Sequence, residues 1–217
     1  MASFLAQSGP LLGTQNPQSD FYLELEEALA SLSKSSIPLL LRGESGSGKT
    51  FLAEKIHSFF KPQAPFVSKN LSEIAPSLIE SELFGHCKGA FTGATCDKKG
   101  LLETASKGTL FLDEIGTLEL SLQNKLLKVI EEKQFSPVGS NKIIKVDFQL
   151  ITATCEDLSL KMEKKLLRED FYHRIAGVSI KLSSLRDYPE EIYGLLRRLG
   201  QTGSRRLHFT KECRAEI

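Results

Sequence analysis

No run of apolar residues in this 217-residue sequence approaches the roughly 18 to 20 that a membrane-spanning helix requires. The N-terminal segment MASFLAQSGPLLGTQ also lacks the basic stretch followed by an apolar core that marks a secretory signal. We therefore expect a cytoplasmic protein without a membrane segment.

Cysteines are few, and no two of them are spaced as Cys-x-x-Cys. The four cysteines are Cys87, Cys96, Cys155 and Cys213. Structural zinc sites and small disulfide scaffolds both need denser or regularly spaced cysteines. We expect reduced thiols that are mostly structural, with no zinc site.

An excess of charge of either sign is also lacking, because 28 lysines and arginines stand against 27 aspartates and glutamates. A net charge of +1 gives no broad electrostatic attraction to nucleic acid, so any role at DNA should be indirect. What the chain does have is 41% hydrophobic and 25% charged residues, the composition of a globular protein with one main domain.

Short apolar runs alternate with segments of helical periodicity, and this order predicts an α/β fold. Buried strands are expected at 37–41, 66–69, 109–112 and 148–153, and helices at 21–32 (capped by Ser19 or Asp20), 49–60, 77–84 and 120–132. Such alternation favours a doubly wound, mostly parallel sheet with helices on both faces. Residues 134–145 contain Pro and Gly and should form a loop or small hairpin.

A phosphate-binding loop is predicted directly after the first strand. The pattern Gly-x4-Gly-Lys-Thr is formed by Gly43, Glu44, Ser45, Gly46, Ser47, Gly48, Lys49 and Thr50. In this pattern backbone N–H groups at a helix N-terminus face phosphate oxygens, the lysine neutralises the β- and γ-phosphates, and the threonine hydroxyl ligates Mg²⁺. The alternative, a flexible turn that fits by chance, is disfavoured because a strand precedes the loop and a helix follows it.

Two carboxylates, Asp113 and Glu114, end the apolar strand Thr-Leu-Phe-Leu. Ligands of open α/β sheets bind at the carboxyl ends of the strands. Asp113 is therefore expected to hold Mg²⁺ through water, and Glu114 to orient or deprotonate the attacking water. Seen alone, such a pair is usually only solvated; downstream of a phosphate loop, the catalytic interpretation is favoured.

Between these motifs lies a glycine-rich stretch that carries one aromatic residue. Its central hexapeptide is Gly89, Ala90, Phe91, Thr92, Gly93 and Ala94. From the residues alone, Phe91 either folds back onto the core or forms a protein-contacting tip of a mobile loop.

The hexapeptide is identical to the hallmark of sigma-54-dependent transcriptional activators, and its flanks ESELFG and GTLFLDEIG resemble the same family. The likeness extends from about Leu12 to Arg198. It implies an AAA+ ATPase that uses ATP and Mg²⁺, assembles into a ring that is expected to be a hexamer, and remodels the closed complex of sigma-54 RNA polymerase to activate transcription. In this family the hexapeptide loop contacts sigma-54, and Phe91 and Thr92 would make that contact.

The resemblance also gives roles to three further residues. Asn70 matches the family's switch asparagine, which senses the catalytic glutamate; without the family it would be interpreted as a turn residue or helix cap. Arg168 and Arg174 match two arginines that act in trans on the neighbouring subunit's nucleotide, where a guanidinium stabilises transition-state charge. Without the family each would be interpreted as a surface charge.

The sequence departs from the family at several positions. Thr50 replaces a glutamate without harm to Mg²⁺ binding, whereas Cys155 and Glu156 replace an asparagine and an arginine and leave γ-phosphate sensing open. Cys87 and Cys96 flank the hexapeptide, which raises the hypothesis of a redox-switchable disulfide.

The domain organisation predicted from the sequence is an N-terminal lead at 1–18, the AAA+ core at 19–187 and an incomplete, truncated helical lid at 188–217, with no second sensor arginine and no DNA-binding domain. The alternative function is a nucleotide-binding but non-hydrolysing regulator that acts by protein interaction. A helicase or clamp-loader relative is disfavoured by the near-neutral charge and the intact hexapeptide.

Overall fold

The computed structural model describes residues 37–184. Within this range no helix is both long and apolar enough to cross a membrane. The predicted helix at 21–32, the N-terminal lead and the predicted lid at 188–217 lie outside the described residues.

The described chain contains nine strands. They are β1 (Leu39–Arg42), β2 (Phe66–Asn70), β3 (Gly85–His86), β4 (Lys98–Lys99), β5 (Thr109–Asp113), β6 (Gln134–Phe135), β7 (Ile144–Lys145), β8 (Gln149–Thr154) and β9 (Val178–Lys181). Five of them form one sheet in the order β2-β5-β8-β1-β9. All four strand pairs of this sheet are parallel. The predicted parallel α/β sheet is thus confirmed, including each of its four expected strands to within two residues at either end.

Strand β9 was not expected from the sequence. It pairs with β1 at the edge of the sheet, and only Ile180 among its four residues is buried. A short edge strand that buries one side chain produces no apolar run. The alternation of Val178 and Ile180 with polar residues was the available signal.

Six helices occur in the described residues. They are α1 (Lys49–Phe60), α2 (Pro76–Phe84), α3 (Leu101–Thr104), α4 (Leu120–Glu132), α5 (Leu158–Glu163) and α6 (Glu169–Ile175). Helix α4 begins and ends where the apolar periodicity predicts, since Leu122, Leu126 and Ile130 are buried on one face.

The central strands are buried on both sides, and each side has its own core. In β5, Leu110 and Leu112 belong to the larger core, which also contains Leu126 of α4. Phe111 faces the opposite way, into a smaller core with Ile56 of α1. Because successive strand residues point to opposite faces, this division confirms helices on both faces of the sheet.

Two small antiparallel sheets flank the hexapeptide. One pairs β3 with β4, and the other pairs β6 with β7, which confirms a hairpin within 134–145. An isolated bridge between His86 and Val138 connects the two. The β3–β4 pair consists of two-residue strands, too short for the period-2 alternation by which strands are recognised.

We predict that His57 makes stability depend on pH. It is 8% exposed, its Nδ1 lies 2.9 Å from Thr109 Oγ1, and burial lowers the pKa of His57 below its ordinary value. The unfolded chain therefore takes up a proton at higher pH than the folded chain does, and stability decreases as pH falls below about 6.5. His57→Gln should reduce the loss of unfolding free energy between pH 7 and 5.5 by up to about 1 kcal/mol in denaturant titrations.

The matched control is His173→Gln, because His173 lies on α6 with 69% of its side chain exposed. It should retain the loss of unfolding free energy between pH 7 and 5.5 that we assign to His57. An unchanged profile in His57→Gln would contradict the assignment.

Candidate functional site

The loop between β1 and α1 has the geometry of an anion site. Gly48 stands at the N-cap of α1 with φ 90°, a left-handed conformation that favours glycine, and no side chain caps the helix. Gly48 therefore offers no side-chain acceptor to the N–H groups of the first helical turn, which are the groups from which a phosphate accepts. The aligned peptide dipoles of the 12-residue helix α1 also place partial positive charge at its N-terminus, which favours phosphate binding there.

Lys49 lies inside this loop. It is 6% exposed, and its Nζ donates to the carbonyl oxygens of Gly43 and Glu44, both at 2.9 Å. The buried Ser47 hydroxyl has no partner in the part of the chain that the structure describes. A buried ammonium group held by neutral carbonyls, beside an unpartnered hydroxyl, suits the arrival of an anion.

The carboxyl edge of the sheet brings three predicted residues together. Thr50, Asn70 and Asp113 line a cavity of about 310 Å³, which is also lined by Ser68, Lys69, Glu73 and Phe111. Asn70 and Asp113 are register partners of the parallel pair β2–β5. Hydroxyl, amide and carboxylate oxygens are the donors that Mg²⁺ prefers, so the residues present fit a magnesium ion.

Asp113 lies in a partly desolvated position. Burial raises the pKa of its carboxyl above the ordinary value, with smaller contributions from the charges of Glu114 and Glu73. The Glu114 N–H, which donates to Asp113 Oδ1 at 2.9 Å, and the charge of Lys49 act in the opposite direction. The site thus holds a carboxylate whose negative charge is disfavoured until a cation compensates it.

Glu114 has an unusual backbone conformation. With φ 55° and ψ 48° it adopts the left-handed region, which few residues other than glycine occupy. Its Oε2 accepts a hydrogen bond from the Cys155 N–H at 3.3 Å, so the carboxylate faces the end of β8. Backbone strain of this kind concentrates at functional sites.

Asn70 acts as a cap in this structure. Its Oδ1 accepts from the backbone N–H of Ser72 at 2.9 Å and from the Ser72 hydroxyl at 2.8 Å, at the start of a short 3-10 turn. Among the described residues its amide makes no hydrogen bond to Glu114, although the strand register places it beside Asp113. The cap interpretation therefore describes this state, and the switch role stays a prediction.

The two arginines lie outside the cavity of Thr50 and Asp113. Arg168 forms a two-point ion pair with Asp170, with Nε–Oδ1 at 3.0 Å and Nη2–Oδ2 at 2.7 Å, which lowers the pKa of the Asp170 carboxyl. It lines a separate cavity of about 520 Å³ between α4 and the α5–α6 segment. Arg174 is exposed on α6. Neither lines the cavity of its own chain at which Asp113 stands.

A buried glutamine, Gln123, holds the segment that carries Arg168. This role was not predicted from the sequence. Gln123 is fully buried on α4; its Nε2 donates to the carbonyls of Leu118 and Leu166, and its Oε1 accepts from the Arg168 N–H at 2.9 Å. A polar residue at a buried position of the helical face was the available signal.

The hexapeptide forms a compact loop closed by its own backbone. Gly89 N–H donates to the Ala94 carbonyl at 2.8 Å, and Ala94 N–H donates to the Phe91 carbonyl at 3.0 Å. Phe91 is 39% exposed, with its ring centroid 5.0 Å from that of the buried His86. The aromatic side chain thus rests against the loop base while a large part of it faces outward.

Cys87 and Cys96 are both free thiols. The β3–β4 register pairs His86 with Lys98, and its continuation would set Cys87 opposite Asp97 and not opposite Cys96. The Lys88 N–H donates to Asp97 Oδ1 at 2.7 Å, in keeping with that continuation. The redox hypothesis gains no support from this arrangement and stays a prediction.

Comparison with known proteins gives the chain its family. Residues 16–181 match the Sigma-54 interaction domain. A DNA-binding transcriptional regulator NtrC of Proteus hauseri is 46% identical over 175 residues, which cover 80% of this chain and 37% of that protein. A Nif-specific regulatory protein of Herbaspirillum seropedicae is 40% identical over 208 residues, covering 95% and 36%. The chain thus spans less than half the length of these relatives.

Solved structures agree on the fold. NtrX from Brucella abortus in complex with ATP aligns with a TM-score of 0.78 and 29% identity, over 93% of this chain and 44% of that chain. The P-loop NTPase domain of a sigma-54 transport activator from E. coli aligns with a TM-score of 0.51 and 20% identity, over 77% and 97%, and shows the fold alone. With its parallel sheet, phosphate-binding loop and matched residues 16–181, the chain belongs to the Sigma-54 interaction domain family and has the P-loop AAA+ fold.

Proposed function

We propose that this chain hydrolyses ATP and uses the energy to remodel the closed complex of sigma-54 RNA polymerase, which activates transcription. One observation carries the proposal: the phosphate-binding loop after β1 and Asp113 at the end of β5 lie at the same edge of the parallel sheet. The chain between β2 and β5 carries the hexapeptide, in which Phe91 is 39% exposed. The ATP-bound structure of the similar NtrX supports the nucleotide. Such a protein would act in the bacterial cytoplasm.

The chemistry follows from the positions of the side chains. The α1 N-terminus and Lys49 would bind the phosphates, with the ammonium group leaving the carbonyls of Gly43 and Glu44. Thr50 and Asp113 would hold Mg²⁺, which neutralises charge on the β- and γ-phosphates when bound. Glu114 would orient the attacking water and accept its proton.

The positions of the two arginines are consistent with a nucleotide site that a second copy of the chain completes. Arg168 and Arg174 are exposed and lie outside the cavity that contains Thr50 and Asp113. A neighbouring copy that presented its α6 to this cavity would bring both guanidinium groups to the γ-phosphate, where they would stabilise transition-state charge. Repeated head-to-tail contacts of this kind close into a ring, for which we propose a hexamer.

A continuous chain segment connects the site to the loop. Asn70 ends β2, and the 3-10 turn, α2 and β3 follow in order before the hexapeptide. If Asn70 exchanged its bonds to Ser72 for one to Glu114, the start of this segment would lose its cap. We infer that nucleotide state moves the hexapeptide by this route, and that Phe91 and Thr92 then contact sigma-54.

Replacing Asp113 should increase the thermal stability of the nucleotide-free chain and at the same time prevent its stabilisation by Mg-ATP. Because the pKa of Asp113 is raised in the folded state, its ionised form at pH 7 destabilises the fold, and a neutral residue removes that cost. Asp113→Asn should raise the melting temperature of the nucleotide-free chain by about 2 °C while abolishing the stabilisation by Mg-ATP. Thermal unfolding with and without Mg-ATP measures both effects.

Asp147→Asn is the matched control, since the Asp147 carboxylate is 71% exposed and pairs with Lys133 at 3.7 Å. It should keep the full stabilisation by Mg-ATP. Loss of stability in the nucleotide-free Asp113→Asn chain would contradict the sign of the effect, and retained stabilisation by Mg-ATP would contradict the metal role.

Phe91→Ala should uncouple hydrolysis from remodelling. The hydrogen bonds that close the loop involve the backbone, so loss of the ring should leave ATP turnover within about twofold. Open-complex formation at a sigma-54 promoter should fall by about 30-fold or more, as for an aromatic anchor of an interface. Leu78→Ala, at a side chain that is 45% exposed on α2, should keep both activities. Full open-complex formation by Phe91→Ala would rule out the contact.

A further inference from the structure

The carboxylate of Glu114 is held by the end of β8 and not by its own strand. The Cys155 N–H donates to Glu114 Oε2 at 3.3 Å. Interaction with the Glu114 carboxylate is the main cause that raises the pKa of the Cys155 thiol. The thiol therefore lies near the same proposed catalytic carboxylate that accepts from the Cys155 backbone N–H.

A second connection joins the same two segments two residues further along. Lys161 Nζ donates a hydrogen bond to the Gly116 carbonyl at 2.7 Å and lies at an ion-pair distance of 2.7 Å from Glu156 Oε2, without the geometry of a hydrogen bond to it. Side-chain exposures of 22% for Lys161 and 34% for Glu156 place this pair in a partly desolvated position, where it is stronger than a surface pair. Lys161 therefore joins the segment after β8 to the segment after β5.

The Glu156 carboxylate packs directly on Gly116, so a side chain at this position would displace it. A Cβ at this position would lie 2.2 Å from Glu156 Oε2. On the other side of the turn, the Glu114 carbonyl accepts from the N–H and the hydroxyl of Thr117, at 3.0 and 2.8 Å. A glutamate in the left-handed region persists only where its surroundings hold it there, and these contacts supply that restraint.

We propose that Cys155, Glu156 and Lys161 form a clamp that positions the Glu114 carboxylate for the attacking water. The inference rests on the proposed ATPase function for its catalytic consequence, but not for the contacts themselves. All three are positioning residues, because the contacts that define the clamp are to Glu114, to its turn or to one another. Cys155 and Glu156 are two of the positions at which this sequence departs from the family pattern given above, and Lys161 balances the charge of Glu156.

The contact between Cys155 and Glu114 is tested without any turnover. In a Cys87→Ser, Cys96→Ser, Cys213→Ser chain, iodoacetamide alkylates only Cys155, forming an S–C bond with loss of iodide and of the thiol proton. Glu114→Gln should raise the alkylation rate at pH 8 by about three- to tenfold, because removal of the neighbouring negative charge increases the thiolate fraction. Glu131→Gln, an exposed acidic residue on α4, is the matched control and should leave the rate unchanged. Equal rates in the Glu114→Gln and parent chains would overturn the clamp.

The catalytic consequence is tested by steady-state kinetics. Lys161→Met should lower kcat by about tenfold with the KM for ATP within about twofold, since Glu114 acts on the water and not on ground-state binding. Lys164→Met, at an exposed lysine three residues on, should leave both constants unchanged. Cys155→Ala should lower kcat by about three- to tenfold, and Cys155→Ser, which keeps a donor, should restore most of it.

The two tests separate the inference from the function on which it rests. If alkylation is faster in Glu114→Gln but no chain hydrolyses ATP, the contact between Cys155 and Glu114 is supported and the proposed ATPase function is contradicted. If the parent chain hydrolyses ATP and neither Lys161→Met nor Cys155→Ala lowers kcat, the ATPase function is supported and the positioning role of the clamp is contradicted.

Discussion

Parallel pairing of β5 between β2 and β8 brings the ends of these strands to one edge of the sheet. Asn70, Asp113 and Cys155 stand at or just after these ends, and β1 delivers the phosphate-binding loop to the same edge through its pairing with β8. The register is fixed because β5 buries Leu110 and Leu112 in one core and Phe111 in the other. A slip of one residue would exchange these faces, so the packing of the core determines the geometry of the site.

Two polar side chains at this edge, and one arginine away from it that we propose acts on a neighbouring copy, already have partners within the chain. Lys49 donates to two loop carbonyls, Asn70 caps its own turn, and Arg168 pairs with Asp170. Each of these contacts would have to be exchanged for one with nucleotide, with Glu114 or with a neighbouring copy. Exchange of one hydrogen bond for another changes the free energy little, typically by about 1 kcal/mol, so ligand contacts of about that size would be enough to shift this arrangement.

Much of the framework follows from local patterns. The phosphate-binding loop, β5 with Asp113 and Glu114, and the amphipathic α4 are each specified by consecutive residues, and the structure has them where the sequence predicts. Features that depend on contacts between distant segments were not predictable in this way. The edge strand β9, the support of Arg168 by Gln123, and the link from Lys161 to Gly116 all join residues more than 40 positions apart or bury a single side chain. The role of Asn70 could not be predicted from its residue type either, because an asparagine at the end of a strand is equally suited to cap a turn and to bond to a carboxylate such as that of Glu114.

The most direct test of the account is ATP turnover per chain measured against protein concentration, with Glu114→Gln alongside. The account predicts that turnover rises cooperatively with concentration, as arginines supplied by a second copy require, and is absent in Glu114→Gln, which still binds ATP. Binding of nucleotide without turnover at any concentration would contradict it.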